Sequence, residues 1–302
     1  MFKKLFGNKY TKWILLLTFL LGVGITDYCL HNYFNTEGYR GKLLDDKKNK
    51  ELRIACFGGS MTFGFGVSES ESWPAQLQNI LPNNYSVANL GANNQGIYGI
   101  SHDVNYYNYL HYDIAILYQG ETDREPNKLL ENNFRGNDPI FYLFGYKQAL
   151  GFYIKEGIRQ IMPTPKGDSI TVFKKEANTD TTRAQVNKHY IQANTLAKEM
   201  IAEGKTPYEE YIAKLDETLH YLITHKIRTI VVCQPNSYES IQHYCIRKLL
   251  EEKYSNKVEY LNLSNLFINL DSMTFDGMHL RADGYKIVAE KMKESILHFQ
   301  KP

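Results

Sequence analysis

After residue 50, short apolar runs alternate with longer segments of helical period. The runs rich in β-branched and aromatic residues predict five strands, which we place at Leu52–Phe57, Ser86–Asn89, Asp113–Tyr118, Thr229–Cys233 and Val258–Leu263. Strands that alternate with helices form parallel sheets covered on both faces. We therefore expect an α/β fold, a three-layer α/β/α sandwich around a mostly parallel sheet.

Two helices are indicated by apolar residues spaced three and four positions apart. The helix before the fourth strand has the stripe Ile212, Leu215, Leu219 and Leu222. The last helix has a candidate N-cap at Asp283. Its buried face is expected to consist of Val288, Met292, Ile296 and Phe299.

The N-terminus has the pattern of an export signal. Four lysines precede the apolar run Trp13–Ile25, and no acidic residue occurs before Asp27. No alanine, the usual residue at a cleavage site, occurs before Ala55. We therefore favour an uncleaved transmembrane signal anchor over residues 1–34, with the remainder of the chain outside the cytoplasm. The alternative is a cleaved signal peptide and a secreted protein.

The region after the apolar run divides into a linker and one domain. Residues 35–50 are polar and charged, which predicts a linker, and the domain is expected to span 51–302. A long insertion, from about 124 to 205, separates the third and fourth strands. Its first half is expected to be helical and amphipathic. Its aromatic residues suit a lid, a sugar-stacking surface, a membrane-facing surface or an ordinary core: Phe141, Tyr142, Phe144, Tyr146, Phe152 and Tyr153.

Charge and cysteine content exclude several classes of protein. The 35 Lys and Arg residues nearly balance the 33 Asp and Glu residues, so the net charge of +2 argues against nucleic acid as a partner. The four cysteines lack the C-x-x-C spacing of a zinc site. Neither a metal nor an organic cofactor is expected. A disulfide between Cys233 and Cys245 is left open by the sequence.

The first predicted strand leads directly into the segment F-G-G-S-M-T-F-G-F-G-V, which contains Ser60. The segment has no lysine of a Walker motif, and Glu69 stands where a dinucleotide fingerprint needs a third glycine. Phosphate binding is therefore disfavoured. The remaining interpretation is a nucleophilic Ser60 at the carboxyl edge of the sheet.

A serine hydroxyl needs a base, and a histidine base needs a carboxylate that fixes its tautomer. The segment F-D-G-M-H-L supplies both, Asp276 and His279, just before the last helix. A pair of this kind is often only a capping arrangement. The pair follows the last predicted strand of the sheet whose first strand leads into Ser60, and this placement favours a catalytic role.

In four ordered blocks the chain resembles the SGNH hydrolase superfamily of GDSL-like lipases and acylhydrolases. The blocks are F-G-G-S-M-T-F-G, V-A-N-L-G-A-N-N, I-L-Y-Q-G-E-T-D and D-G-M-H-L, and they cover residues 51–302 apart from the insertion. The resemblance implies a flavodoxin-like sheet and a triad of Ser60, His279 and Asp276. It also implies that Gly91 donates its N–H to the oxyanion.

The third block departs from the family at one position. Thr122 stands where the family has the asparagine whose side chain donates to the oxyanion, and the loss of one such donor elsewhere costs about 10²–10³ in rate. We expect the backbone N–H groups of Ser60 and Gly91 to form the oxyanion hole. The third donor is expected to be Thr122, Asn93 or Asn94. The alternative is an incomplete hole with low activity or none.

These features predict a serine esterase that cleaves an acyl ester, such as an O-acetyl group, of an envelope lipid or glycan. Because a triad does not choose between water and an alcohol as acceptor, an O-acyltransferase acting on a surface polysaccharide is an alternative. A catalytically silent SGNH module that binds glycan is a second alternative. The expected partners are the acyl-ester substrate and, through the N-terminal helix, a membrane.

Overall fold

The structure of the protein is a computed structural model that describes residues 9–29, 35, 37–93, 95–120, 195, 198–205, 207–236, 240–267 and 269–298. The strands are β1 (Leu52–Gly58), β2 (Tyr85–Asn89), β3 (Ile114–Gln119), β4 (Arg228–Cys233) and β5 (Val258–Asn262). The helices are α1 (Lys9–Cys29), α2 (Ser60–Phe63), α3 (Trp73–Ile80), α4 (Ile97–Tyr106), α5 (Glu209–Thr224), α6 (Ile241–Lys253), α7 (Leu270–Met273) and α8 (Ala282–His298). Short 3-10 helices cover Glu69–Glu71 and Tyr107–Leu110, and residues 198–202 are also helical.

The five strands form one parallel sheet in the order β2-β1-β3-β4-β5. β1 lies inside the sheet, where Cys56 is opposite Asn89 of β2 on one side and Ile116 of β3 on the other. Each strand lies within one residue of its predicted bounds at either end. The predicted parallel α/β architecture is therefore confirmed, and the carboxyl ends of β1, β3 and β5 share one edge of the sheet.

Successive residues of β1 point to two separate cores. Ala55 and Phe57 pack with α4, α5 and α6, whereas Ile54 and Cys56 pack with α3 and α8. All four side chains are completely buried. A central parallel strand that is covered on both faces has no polar side, which explains its continuous apolar sequence.

Most of the helix predictions are confirmed. Leu215, Leu219 and Leu222 of α5 are completely buried, as the spacing predicted. The N-cap prediction for Asp283 is wrong, because α8 begins one residue earlier and Asp283 lies inside its first turn. The reason is a preceding constraint: the N–H of Arg281 donates to the carbonyl oxygen of Met273 at 2.7 Å, which fixes where the helix starts. Phe299 lies outside the described residues.

Helix α1 exposes its apolar side chains. Among them, Trp13 is 56% and Leu21 is 65% exposed. Within the ranges that the structure describes, no helix meets both the length and the apolarity that crossing a membrane requires. The predicted membrane anchor over residues 1–34 is therefore not demonstrated by the fold.

Part of the segment predicted as a linker packs against the domain. Tyr39 is completely buried, and Arg40 is only 4% exposed. The N–H of Arg40 donates to the carbonyl oxygen of Asn89 at 3.1 Å, beside the edge strand β2. These contacts could not be predicted from the sequence, because two isolated residues in a polar segment form no periodic pattern.

Three cysteines are free thiols. Cys56 and Cys233 are buried, and Cys245 is half-buried. The open question of a disulfide between Cys233 and Cys245 is thus answered against the bond in this structure. Most of the predicted insertion, including its six named aromatic residues, lies outside the described residues.

Candidate active site

Ser60 lies where β1 ends and α2 begins. The N–H groups of Thr62 and Phe63 both donate to the carbonyl oxygen of Gly59, so the chain turns sharply just before the serine. Among the described residues, no hydrogen bond uses the backbone N–H of Ser60. The serine is half-buried at the carboxyl edge of the sheet, where open α/β folds place their ligands.

Asp276 and His279 belong to a tight turn between α7 and α8. Gly277 has a φ of 86°, a conformation that favours glycine over residues with a Cβ. The turn is closed by Asp276, whose Oδ1 accepts the N–H groups of Met278 at 3.0 Å and of His279 at 2.7 Å. The other carboxylate oxygen is thereby left facing the imidazole.

The structure brings the three predicted catalytic residues together. The Nε2 of His279 lies 2.8 Å from the Oγ of Ser60, and its Nδ1 lies 2.6 Å from the Oδ2 of Asp276. The side chains of His279 and Asp276 are 12% and 16% exposed. With Nδ1–H donating to the carboxylate, Nε2 is the acceptor that faces the serine hydroxyl. This arrangement can remove a proton from Ser60.

The carboxyl group of Asp276 is held in its ionised form. Burial by itself would raise its pKa, but hydrogen bonds from the His279 side chain and from the N–H groups of His279 and Met278 outweigh burial and lower it. A carboxylate that stays ionised can stabilise a positive charge on the imidazole.

Two phenylalanine rings flank the imidazole. The centroid of the Phe65 ring lies 4.7 Å from that of the His279 ring. The centroid of the Phe275 ring lies 5.8 Å from that of His279, and these two rings are stacked. The two phenylalanine rings are themselves 6.1 Å apart. Both rings thus pack beside the imidazole. Neither phenylalanine was predicted from the sequence to be part of the site.

Gly91 is the glycine that was expected to donate its N–H to the oxyanion. Its N–H donates to the Oδ1 of Asn89 at 3.1 Å, so this group is already hydrogen-bonded within the protein. The position requires glycine because of a close backbone approach: an added Cβ would lie 2.3 Å from the backbone nitrogen of Phe63. The structure therefore assigns Gly91 a packing contact with the helix that carries Ser60.

Three other residues were expected as oxyanion donors. Thr122 and Asn94 lie outside the described residues, and Asn93 is half-buried. Asn89 was not predicted from the sequence to belong to the site. Its side chain joins Gly91 to the helix that carries Ser60, because it accepts the N–H of Gly91 and donates to the carbonyl oxygen of Phe63 at 3.3 Å. Its position at the end of β2 is the one signal that could have identified it.

A cavity of about 570 Å³ lies beside the edge strand β2, lined among others by Arg40, Arg53 and Gln78. Ser60, Asp276 and His279 do not line it. The cavity is thus separate from the site formed by these three residues.

Comparison with known proteins gives one curated relative. An acetylxylan esterase from Xylanibacter ruminicola is 31% identical over 94 residues, which are 28% of this chain and 20% of the relative. The match thus spans about a fifth of that relative's length. No family model matches the chain.

Solved structures with a related architecture include two esterases or lipases. A GDSL-like lipase from Bacteroides thetaiotaomicron has 14% identity and a TM-score of 0.43, covering 85% of this chain and 93% of the lipase. A catalytic mutant of an acetylxylan esterase from Geobacillus stearothermophilus has 12% identity and a TM-score of 0.44, covering 83% and 96% of the two chains. At these identities and scores the likeness carries no conclusion about activity.

The resemblance stated from the sequence is nevertheless specific. The strand order β2-β1-β3-β4-β5 is that of the flavodoxin-like sheet that the resemblance implied. The first and last sequence blocks meet in space, where Ser60 contacts His279. The sheet order and the contact between Ser60 and His279 thus agree with what the resemblance implies, and over 94 residues the chain is similar to an acetylxylan esterase.

Proposed function

We propose that the protein is a serine ester hydrolase in which Ser60 is the nucleophile, His279 the general base and Asp276 the orienting carboxylate. The observation that carries the proposal is the continuous hydrogen-bonded path from Ser60 Oγ through the imidazole to Asp276, with distances of 2.8 and 2.6 Å. A serine, a histidine and a carboxylate in this order are the arrangement that activates a hydroxyl for acyl transfer.

The first half of the proposed reaction forms an acyl-enzyme. His279 Nε2 takes the hydroxyl proton while Ser60 Oγ bonds to the ester carbonyl carbon, which gives a tetrahedral oxyanion. The imidazolium is stabilised by Asp276 and then gives its proton to the departing alcohol oxygen as the ester bond breaks. In the second half, water attacks the acyl-serine by the same route and releases the acid.

The oxyanion is proposed to accept a hydrogen bond from the backbone N–H of Ser60. This donor has no other acceptor among the described residues and belongs to the residue that attacks. Gly91 can contribute only if its bond to Asn89 is exchanged. The participation of Thr122, Asn93 and Asn94 stays a prediction from the sequence.

For the substrate we propose an acetyl ester of a carbohydrate. The support is the curated relative, which is an acetylxylan esterase. The rings of Phe65 and Phe275 beside His279 are compatible with this substrate, since aromatic faces pack well against apolar parts of sugars and acyl groups.

The test uses the full chain with p-nitrophenyl acetate, an organophosphonate probe and acetylated xylo-oligosaccharides. The wild type is expected to release p-nitrophenol and acetate and to carry the phosphonate on Ser60. Ser60→Ala is expected to lose all three signals, and Ser101→Ala, a buried serine of α4, serves as the matched control. Undiminished turnover in Ser60→Ala would refute the proposed nucleophile.

The same experiment separates the two alternatives. If the protein is an O-acyltransferase, hydrolysis is slow and the acetyl group appears on an added unacetylated oligosaccharide. If it is a silent binding module, Ser60 is not labelled although the oligosaccharide binds. Acetate release with a labelled Ser60 and no transfer product is the outcome that the hydrolase requires.

Membrane attachment through α1, with the site outside the cytoplasm, stays a prediction. Its support is the exposure of large apolar side chains along α1, since soluble proteins rarely expose such a continuous apolar surface. Carbonate extraction of membranes tests the attachment, and protease protection of intact cells tests the side. Release of the full chain by carbonate would contradict the anchor.

A further inference from the structure

Arg40 is a buried cation close to the nucleophile, although it lies in the segment predicted as a linker. Its side chain is 4% exposed. Nη1 donates to the carbonyl oxygens of Phe63 and, at 2.7 Å, of Gly64, and Nη2 donates to the carbonyl oxygen of Val67 at 2.8 Å. A buried charge is tolerated only when hydrogen bonds replace the lost water, and here three backbone carbonyls provide them.

The three acceptors enclose one loop, residues 63–67, which we call the Phe65 loop. It follows directly on the short helix that begins with Ser60, and its first carbonyls belong to the helix end, where no intrahelical donor is available. The guanidinium carbon of Arg40 also lies 4.4 Å from the ring centre of Phe63. Arg40, which lies in the segment predicted as a linker, is thus bonded to both ends of the loop.

The Phe65 loop contacts the histidine. Phe65 lies at its centre, with its ring 4.7 Å from the imidazole of His279. The loop therefore adds a ring contact to the hydrogen bonds by which Asp276 holds His279, and the loop itself is bonded to Arg40. Among the described contacts, Arg40 makes no hydrogen bond to Ser60, Asp276 or His279, so its influence is indirect.

We propose that Arg40 is a positioning residue, which holds the Phe65 loop so that Phe65 packs against His279 in the orientation that accepts the Ser60 proton. This inference rests on the proposed hydrolase function. A displacement of about 1 Å in a reacting group can cost about 10²-fold in rate. Loss of Arg40 is therefore expected to lower kcat with little change in KM, because the guanidinium is buried and donates to the carbonyl oxygens of the loop.

The chain offers a matched control in Arg53. Arg53 is also 4% exposed and also donates to backbone carbonyls, those of Leu110 at 3.0 Å and Asp45 at 2.8 Å. It lies at the amino end of β1, at the opposite edge of the sheet from Ser60. Removal of a buried arginine is expected to destabilise both variants, and Arg53→Met also removes the ion pair between Arg53 and Glu51.

The experiment compares full-length Arg40→Met, Arg40→Lys and Arg53→Met with the wild type, with rates referred to the folded fraction. Arg40→Met is expected to lower kcat for p-nitrophenyl acetate by about 10- to 100-fold at constant KM. Arg40→Lys is expected to recover part of the loss, since lysine keeps the charge but not the planar fork of donors. Arg53→Met is expected to lower Tm without changing kcat. Equal kcat losses in Arg40→Met and Arg53→Met would overturn the proposal.

An activity-independent measurement covers the case in which catalysis fails for another reason. The aromatic ring of Phe65 shifts the NMR resonance of the His279 ring C–H, and Phe65→Leu removes this shift. Arg40→Met is expected to move the resonance towards its position in Phe65→Leu, whereas Arg53→Met is not. An unmoved resonance in folded Arg40→Met would overturn the proposal even if the hydrolase is active. A wild type without phosphonate on Ser60 would instead refute the proposed function, while the resonance still reports the contact.

Discussion

The imidazole of His279 lies 2.8 Å from the hydroxyl of Ser60, although 219 positions separate the two residues in the chain. Ser60 is placed by the end of β1, and His279 by the turn that follows α7. The parallel sheet brings both to the same edge, because all of its strands end in the same direction.

Asp276→Asn should preserve the turn but impair the base. Asn keeps an oxygen that can accept the N–H groups of Met278 and His279, as Asp276 Oδ1 does. It loses the charge that stabilises the imidazolium and the fixed tautomer, which in a comparable triad lowers kcat by about 10⁴. Steady-state hydrolysis of p-nitrophenyl acetate measures the loss. A variant that retains most of the wild-type rate would contradict the role assigned to Asp276.

Glu51 should make the stability of the domain depend on acidic pH. Burial alone would raise its pKa, but hydrogen bonds from the side chain of Ser86, the N–H of Lys48 and Arg53 lower it from 4.5 to about 2. A carboxyl group with a depressed folded-state pKa contributes stability above its unfolded pKa and loses it as the pH falls through the folded value. The stability advantage of the wild type over Glu51→Gln is therefore complete above pH 4.5 and declines towards pH 2.

Urea denaturation of both proteins at a series of pH values between these limits measures that difference. The comparison with Glu51→Gln removes the contribution of all other carboxyl groups, because they are common to both proteins. A difference in free energy of unfolding that does not change with pH would show that Glu51 is not held in its ionised form.

Gly91→Ala should destabilise the protein and displace the nucleophile helix. The new Cβ would lie 2.3 Å from the backbone nitrogen of Phe63 and 2.7 Å from the carbonyl carbon of Thr62. Backbone atoms cannot move aside cheaply, and overpacking of this kind costs about 1–3 kcal/mol. Both the Tm, measured by thermal unfolding, and the rate of phosphonate labelling at Ser60 are expected to fall.

Gly99→Ala in α4 is the control for this substitution. There the new Cβ would lie 2.8 Å from the Cγ of the buried Gln95 side chain, and not against the backbone of the helix that carries Ser60. Its Tm is expected to fall less than that of Gly91→Ala, and phosphonate labelling of Ser60 is expected to keep the wild-type rate. If both alanine variants behave alike, the close approach at Gly91 does not constrain the helix that carries Ser60.

The thiols should differ in reactivity according to burial. Cys56 and Cys233 are completely buried, and burial raises the pKa of the Cys56 thiol. Burial also raises the pKa of Cys245, although this residue is only half-buried. Maleimide labelling followed by mass spectrometry is expected to modify Cys245 slowly in the native protein, and Cys56 and Cys233 only after unfolding. A mass two units lower for the Cys233 and Cys245 peptides together would reveal a disulfide instead.

The sequence by itself determined the strands, the fold class and the identity of the three residues that meet. Strand positions follow from continuous apolar runs, and the end of a parallel strand is a fixed place on the sheet, so Ser60 could be assigned without coordinates. The same holds for Asp276 and His279, since Asp276 closes a turn of local hydrogen bonds with a glycine between them.

Only the tertiary structure decided what surrounds this contact. The hydrogen bonds of Arg40 go to carbonyl groups 23 to 27 positions away, and the N–H of Gly91 is bonded to the side chain of Asn89. Neither contact follows a period of the chain, because a backbone carbonyl has no residue-specific signature and a single buried arginine in a polar segment looks like a solvated charge. Local periodicity specifies elements, whereas contacts between irregular segments form only when the sheet has brought them together.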